Sequence, residues 1–190
     1  MAGNGKVIGV LALQGDFEKH QHALERAGAK HIQVRTAEQL AQVDALVLPG
    51  GESSTMLRLM EYFDLFAPLQ HFCQQKPVFG TCAGAILMAN EVTSPAQKSF
   101  GVLDIAVERN GYGRQVDSRI IELDSTIGKL EAVFIRAPII RSIGPEVKVL
   151  ASYLDTPVLV QQGMHLAATF HPELTDDIQV HRHFLNSLPQ

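Results

Sequence analysis

The sequence predicts an α/β fold: a mostly parallel central sheet with helices on both faces, and an antiparallel extension in the second half of the chain. Two observations predict it. Up to about residue 90, short apolar runs alternate with stretches of helical periodicity, the pattern of buried parallel strands joined by crossover helices. From Val102 to Phe170 the apolar runs stay strand-like, turn residues separate them, and little helical periodicity is left.

In chain order, Val7–Leu13 reads as the first strand, and Glu18–Ala27 as a helix that stops at Gly28. His31–Val34 is the second strand and Ala45–Leu48 the third, closed by Pro49-Gly50-Gly51. Ser53 and Ser54 are candidate N-caps for a helix that runs to about Phe63. A helix over Pro68–Gln75 leads to a fourth strand, Pro77–Phe79, and Gly80-Thr81-Cys82-Ala83-Gly84 turns the chain into an apolar helix, Ala85–Asn90. The later strand-like runs are Leu103–Val107, Ile120–Leu123, Ala132–Ile135, Val147–Ser152, Val158–Gln161 and Leu166–Phe170, and Asp176–Leu188 is the last helix. No repeat, low-complexity tract or linker interrupts this pattern, so residues 1–190 read as one domain.

At 190 residues, 46% apolar and 19% charged, the chain is long enough to bury about 70% of the surface that it exposes unfolded. Basic side chains number 16 against 20 acidic ones, a net charge of −4 with no basic block, which argues against nucleic-acid binding. No window approaches the ~18 consecutive apolar residues that cross a bilayer, so no membrane is expected as a partner. Only Lys6 precedes the apolar run Val7–Leu13 as a basic residue, and no small-x-small site follows it. A buried strand is therefore expected there, not an export signal. With two cysteines that need not pair, a reducing cytoplasmic location is expected. Cys73 and Cys82 match no CxxC redox or zinc spacing.

Three motifs carry chemistry. Gly80-Thr81-Cys82-Ala83-Gly84 has the Gly-x-nucleophile-x-Gly form of a nucleophile elbow, set between a buried strand and a helix. The turn strains its central residue, the glycines let the backbone close, and the helix N-terminus favours negative charge on the sulfur. The N–H of Ala83 would face an oxyanion formed at the attacked carbon. Thr169-Phe170-His171-Pro172-Glu173 supplies a base and its orienter, because proline holds His171 extended and extended spacing puts His171 and Glu173 on one side of the chain. Taken singly, the two motifs also admit a buried structural cysteine and a surface histidine at a turn. The third motif, Leu48-Pro49-Gly50-Gly51-Glu52-Ser53-Ser54, offers backbone N–H groups and a helix N-terminus to a carboxylate or oxyanion. It lacks the Gly-Lys-Ser/Thr element of a phosphate loop. All three motifs lie at the carboxyl ends of strands, where open α/β sheets form their crevice.

In combination these motifs resemble the class I (triad) glutamine amidotransferases, whose Cys-His-Glu site hydrolyses glutamine to glutamate and ammonia. More narrowly, the chain resembles the glutaminase subunits of pyridoxal 5′-phosphate synthases. The matching segments are GVLALQGDFEKH (9–20), LPGGESST (48–55), FGTCAGAILMA (79–89), RNGYGRQVDS (109–118), FIRAP (134–138) and TFHPEL (169–174), in the expected order over nearly the whole chain. The resemblance implies the three-layer fold of that superfamily, with Cys82 as nucleophile, His171 as base and then acid, and Glu173 as its orienter. It implies an oxyanion hole from Gly51 and Ala83, and an L-glutamine site lined by Gly51, Glu52, Ser53, Arg109, Ile135 and Arg136. It also implies a partner, the synthase subunit (PdxS type) that receives the ammonia for vitamin B6 biosynthesis, and it implies neither cofactor nor metal. One departure is Arg119-Ile120, where many relatives have Phe-Glu. The alternatives to a glutaminase are another cysteine hydrolase of peptidase or protein-repair type on a related scaffold, and a non-catalytic scaffold subunit.

The remaining polar residues draw blander readings. His20/His22 and His181/His183 are i, i+2 pairs on helices, where side chains diverge by about 200°, so solvated helix faces are expected rather than a metal site. Cys73 reads as a small buried hydrophobe, and Arg114, Arg119 and Arg141 form no recognisable anion site. Gln14 follows the first strand at the edge that the synthase subunit faces in the resembled family, so an interface role is expected. Gly50-Gly51 admits alternative peptide orientations, so glutaminase activity is expected to await the partner.

Overall fold

The inner strands of the first half are apolar on both sides because both sides are covered. The computed structural model describes residues 5–111 and 119–190. Strands β1 (Val7–Leu11), β2 (Lys30–Val34), β3 (Ala45–Leu48) and β4 (Val78–Thr81) alternate with helices α1 (Phe17–Arg26), α2 (Ala37–Leu40), α3 (Ser53–Tyr62), α4 (Phe66–Gln75) and α5 (Ala83–Met88). Next come β5 (Ala89–Thr93), β6 (Leu103–Glu108), β7 (Arg119–Ser125), β8 (Gly128–Phe134), β9 (Ile139–Ile143), β10 (Lys148–Tyr153), β11 (Thr156–Gln162) and β12 (His165–Ala168). A 3-10 turn at Pro172–Leu174 and helix α6 (Gln179–Asn186) follow.

Among the described residues the main sheet has the order β2-β1-β3-β4-β12-β11-β10-β7-β8. Its β2-β1-β3-β4-β12 half is parallel, and the rest is antiparallel. Strand alternation sorts side chains into two cores. Leu46, Leu48 and Val78 point to the side where Met56, Met60, Leu69 and Leu87 of α3, α4 and α5 pack. Ala45, Val47 and Phe79 point to the other, with Leu24 of α1 and Phe184 and Leu185 of α6. The class expected from the sequence is therefore the one observed, with helices on both faces and the antiparallel extension in place.

Several local expectations give way. The apolar helix after the nucleophile turn ends at Met88, not Asn90, because Ala89–Thr93 pairs with β6 in a second sheet of order β5-β6-β9. Of its three strands the sequence predicts only Leu103–Val107, because β5 follows directly on an apolar helix and is mostly polar. The cap of α3 is Glu52, not Ser53 or Ser54: its carboxylate accepts from the N–H groups of Ser54 (3.2 Å) and Thr55 (2.7 Å). The last helix starts at Gln179, whose N–H donates to Asp177 Oδ1 at 2.9 Å. Arg119 and Ile120 begin β7 opposite Phe134 and Val133, and Ile120 is 69% exposed. The segment 112–118, with Arg114, lies outside the described residues.

Candidate active site

The carboxyl ends of the parallel strands bring the three motifs together. Cys82 directly follows β4 and caps α5, with φ 47° and ψ −104°, a positive φ that non-glycine residues rarely adopt. Its N–H donates to Ala168 O of the neighbouring β12 at 2.8 Å, so the sheet itself helps to hold the turn. Close approach explains both glycines of the motif. A Cβ on Gly84 would sit 2.0 Å from Leu48 O, and one on Gly80 would sit 2.6 Å from the backbone of Gly84. The elbow can therefore form only against a bare backbone.

His171 comes from the end of β12, and its N–H donates to Val133 O of β8 at 2.8 Å. Its Nδ1 lies 2.7 Å from Glu173 Oε1, both side chains being buried. The expected contact is present, but its backbone differs from the extended run predicted: Pro172–Leu174 is a 3-10 turn, and the turn brings the carboxylate back to the ring. Gly50 packs against the same imidazole, since a Cβ there would sit 2.4 Å from His171 Cε1 and 3.4 Å from Cys82 Cβ. Thus the glycine loop after β3, the thiol and the imidazole form one compact group. Burial opposes charge on His171, yet hydrogen bonds with Cys82 and Glu173, and their negative charge, push its pKa up to about 10. Glu173 is lowered: burial resists its charge, but the neighbouring His20 and the bond from His171 outweigh it.

The remaining expected residues surround this group to different degrees. Ala83 is buried at the first position of α5, where backbone N–H groups lack intrahelical partners. The carbonyl of Ile135 lies 3.9 Å from Cys82 Sγ. Arg136 follows at an exposed bend with φ 45°, and among the described residues it makes no ion pair. Arg109 Nη2 lies 3.2 Å from Glu52 Oε1, which ties the β6 end to the loop after β3. Burial resists charge on Glu52, but the backbone and hydroxyl groups of Ser54 and Thr55 hold its pKa down to about 2. Ser53 is buried and donates from Oγ to Gln97 Oε1 at 3.0 Å. Gln14, expected at this edge, accepts from the N–H of Glu52 through Oε1 at 2.9 Å, so it braces the glycine loop. Cys73 is fully buried away from this group, and burial pushes its thiol up to about 12.

Two residues overturn their sequence reading. His20 and His181 were expected on solvated helix faces, yet both have no exposure at all, and His20 reaches the back of the triad. The signal was present. In α1 the buried positions are His20, Ala23 and Leu24, an i, i+3, i+4 stripe on which His22 does not fall. In α6 His181 sits beside Val180, Phe184 and Leu185 on the strongly amphipathic inner face. The i, i+2 spacing considered each pair together, whereas helical geometry separates its members. As for metals, Asp16, His171 and Glu173 offer ligand atoms within 4.8 Å of one another. Because His171 Nδ1 and Glu173 Oε1 are bonded to each other, we read a triad rather than a ligand set. Among the described residues no helix is long and apolar enough to cross a membrane.

Comparison with known proteins places the chain in a family. Residues 10–190 match the model of the SNO glutamine amidotransferase family. A protein named pyridoxal 5′-phosphate synthase subunit PdxT from Solibacter usitatus is 60% identical, covering 96% of this chain and 100% of the relative. One of the same name from Koribacter versatilis is 55% identical over 94% of this chain and 93% of its own. Among solved structures, one titled as a glutamine amidotransferase superposes with a TM-score of 0.88 at 46% identity, over 95% of this chain and 97% of the other. One titled as PurLQS from Thermotoga maritima shares the fold alone, with a TM-score of 0.61 at 17% identity, over 98% of this chain and 97% of that one.

Proposed function

The chain belongs to the SNO glutamine amidotransferase family, and on that premise we propose that it is the glutaminase subunit of a pyridoxal 5′-phosphate synthase. It hydrolyses L-glutamine and supplies the ammonia to a separate, PdxS-type synthase subunit. The observation that carries the reading is Cys82 at its strained elbow, with His171 and Glu173 joined at 2.7 Å beside it.

In this mechanism Cys82 Sγ attacks the side-chain amide carbon of glutamine, and His171 takes the thiol proton. The oxyanion is held by the N–H groups of Gly51 and Ala83. His171, now carrying the proton it took from the thiol, passes it to the leaving nitrogen, and ammonia departs. The glutamyl thioester then yields to a water activated by the deprotonated imidazole, giving glutamate and the free thiol. Glu173 fixes the ring so that Nε2 faces the chemistry, because Nδ1 is engaged with the carboxylate. The α-carboxylate of glutamine suits the guanidinium groups of Arg109 and Arg136. The carboxylate of Glu52 is committed to capping α3 and to Arg109, so its share in the glutamine site falls to the loop that it anchors.

We read residues 1–190 as one glutaminase domain, and the two free thiols fit a reducing cytoplasm. Gln14 makes the oxyanion loop responsive to whatever docks at the carboxyl end of β1, so the synthase subunit raises turnover. The deciding experiment measures glutamate release from glutamine with and without the synthase subunit, for wild type and Cys82→Ala. Cys82-dependent release that rises with the partner is expected. No such release under either condition would refute the glutaminase, and equal release in both would refute the dependence on a partner.

A further inference from the structure

Behind the triad lies a chain of imidazoles for which the mechanism above has no use. His20, on α1, is fully buried, and its Nε2 lies 3.1 Å from Thr81 Oγ1 and 3.5 Å from Glu173 Oε2. Its Nδ1 lies 2.9 Å from Nε2 of the equally buried His181, on α6. Both rings meet the edge or face of Phe79 on β4, at centroid distances of 6.1 Å and 5.5 Å, so packing sets their orientation. Glu173 Oε2 is a buried carboxylate oxygen with no hydrogen-bond partner of good geometry among the described residues, and His181 Nδ1 has no partner either.

We propose that His20 and His181 are positioning residues for Glu173, a buried imidazole chain that holds the triad carboxylate ionised and correctly aimed from behind. The proposal rests on the glutaminase reading. Its core is a tautomer argument. If His181 Nε2–H donates to His20 Nδ1, then His20 Nε2–H points at Thr81 Oγ1 and Glu173 Oε2, and the unpartnered His181 Nδ1 is a bare lone pair. In the opposite arrangement His181 Nδ1 becomes a buried N–H without an acceptor, and a lone pair of His20 faces the carboxylate. Burying an unmet donor and opposing two electron-rich atoms both cost free energy, so the first arrangement is favoured. Glu173 is then flanked by two N–H groups: His171 Nδ1–H bonds Oε1 at 2.7 Å, and His20 Nε2–H, whose nearer acceptor is Thr81 Oγ1 at 3.1 Å, stands 3.5 Å from the other oxygen. Asp16, at the start of α1, and His171 are the other charged or titratable groups acting on His20, and burial keeps His20 itself lowered and neutral.

Two measurements test this. In the full chain, nitrogen-15 NMR of the imidazoles should show the Nε2–H tautomer for both His20 and His181; an Nδ1–H tautomer at His181 would overturn the chain as drawn. In the complex with the synthase subunit, kcat/KM for glutamine is followed against pH for wild type, His20→Phe and His20→Gln. His20→Phe should lower kcat by about 10- to 100-fold with little change in KM, and should move the acid limb to higher pH, because Glu173 protonates more readily without the N–H. His20→Gln keeps a donor where Nε2 was, and should recover most of the rate and the original limb. Equal losses in both variants with an unmoved pH profile would overturn the proposal, leaving His20 a packing residue. Should wild type release no Cys82-dependent glutamate, the glutaminase reading fails while the NMR result still decides the imidazole chain.

Discussion

His171 and His20 lie on opposite sides of the Glu173 carboxylate, both buried, yet their surroundings shift them in opposite directions. On the front, burial works against His171, but the thiol and a 2.7 Å bond to Glu173 overcome it, and the pKa rises to about 10. On the back, burial is the largest influence on His20 and prevails, because the carboxylate oxygen there stands 3.5 Å away and His171 repels a second positive charge. His181, one imidazole farther from the carboxylate, is lowered to about 3. The carboxylate is shared, but on the front it stands 0.8 Å nearer (2.7 against 3.5 Å) and the thiol adds its support, whereas on the back burial prevails. The front is arranged to exchange protons and the back to hold still.

The largest test of this contrast is Cys82→Ala. It should reduce glutamine hydrolysis by at least about 10⁴-fold, and NMR titration should find the pKa of His171 reduced, since the thiol is one of its supports. An unchanged His171 pKa would break the account of the front side. Glu173→Gln should come next, slowing turnover by about 10²- to 10⁴-fold as the imidazole loses its orienter. Because the carboxylate raises both His171 and His20, the same titration should find both lowered.

The smallest effects are in stability, and here the two sides differ in sign. A folded pKa above the unfolded value of 6.5 gives His171 a contribution that is full below pH 6.5 and is lost as pH rises through about 10. His181 behaves conversely: its contribution is present above pH 6.5 and is lost as pH falls toward about 3. Urea unfolding between about pH 4 and 10 should therefore show stability declining on both sides of neutrality. His181→Phe should lessen the decline on the acid side alone, where His20 and Glu173 still contribute, and Cys82→Ala that on the alkaline side alone. A variant that flattened both would mean that the imidazoles titrate as one unit.

The legibility of these regions in the sequence follows the range of the forces that build them. The elbow was readable because its requirements are local: a nucleophile, glycines at the two positions where backbone closes on backbone, and an apolar strand before it. His171-Pro172-Glu173 was readable as a pair, though not as the 3-10 turn that joins them. The parallel strands announced themselves through continuous apolar runs. The β5-β6-β9 sheet did not, because Ala89–Thr93 directly follows an apolar helix, is mostly polar, and becomes a strand only through pairing with Leu103–Glu108. Glu52 is the cap although serine is the commoner capping residue, and nothing local reveals that its carboxylate reaches the N–H and hydroxyl groups of Ser54 and Thr55, two and three residues on.

By itself, then, the sequence determined the α/β class and the order of most elements, and it singled out Cys82, His171 and Glu173 as candidates that the fold gathers at one place. Each of these depends on residue type and on spacing along a few positions. Only the tertiary structure decided what stands behind the carboxylate. His20 and His181 are 161 positions apart in the chain, and neither spacing nor composition relates them. They meet because α1 and α6 pack on the same face of the sheet, where Phe79 of β4 and the carboxylate of Glu173 leave room for two imidazoles. Whether a buried histidine is charged, neutral or unmet is set by which atoms surround it, and those atoms are assembled by folding.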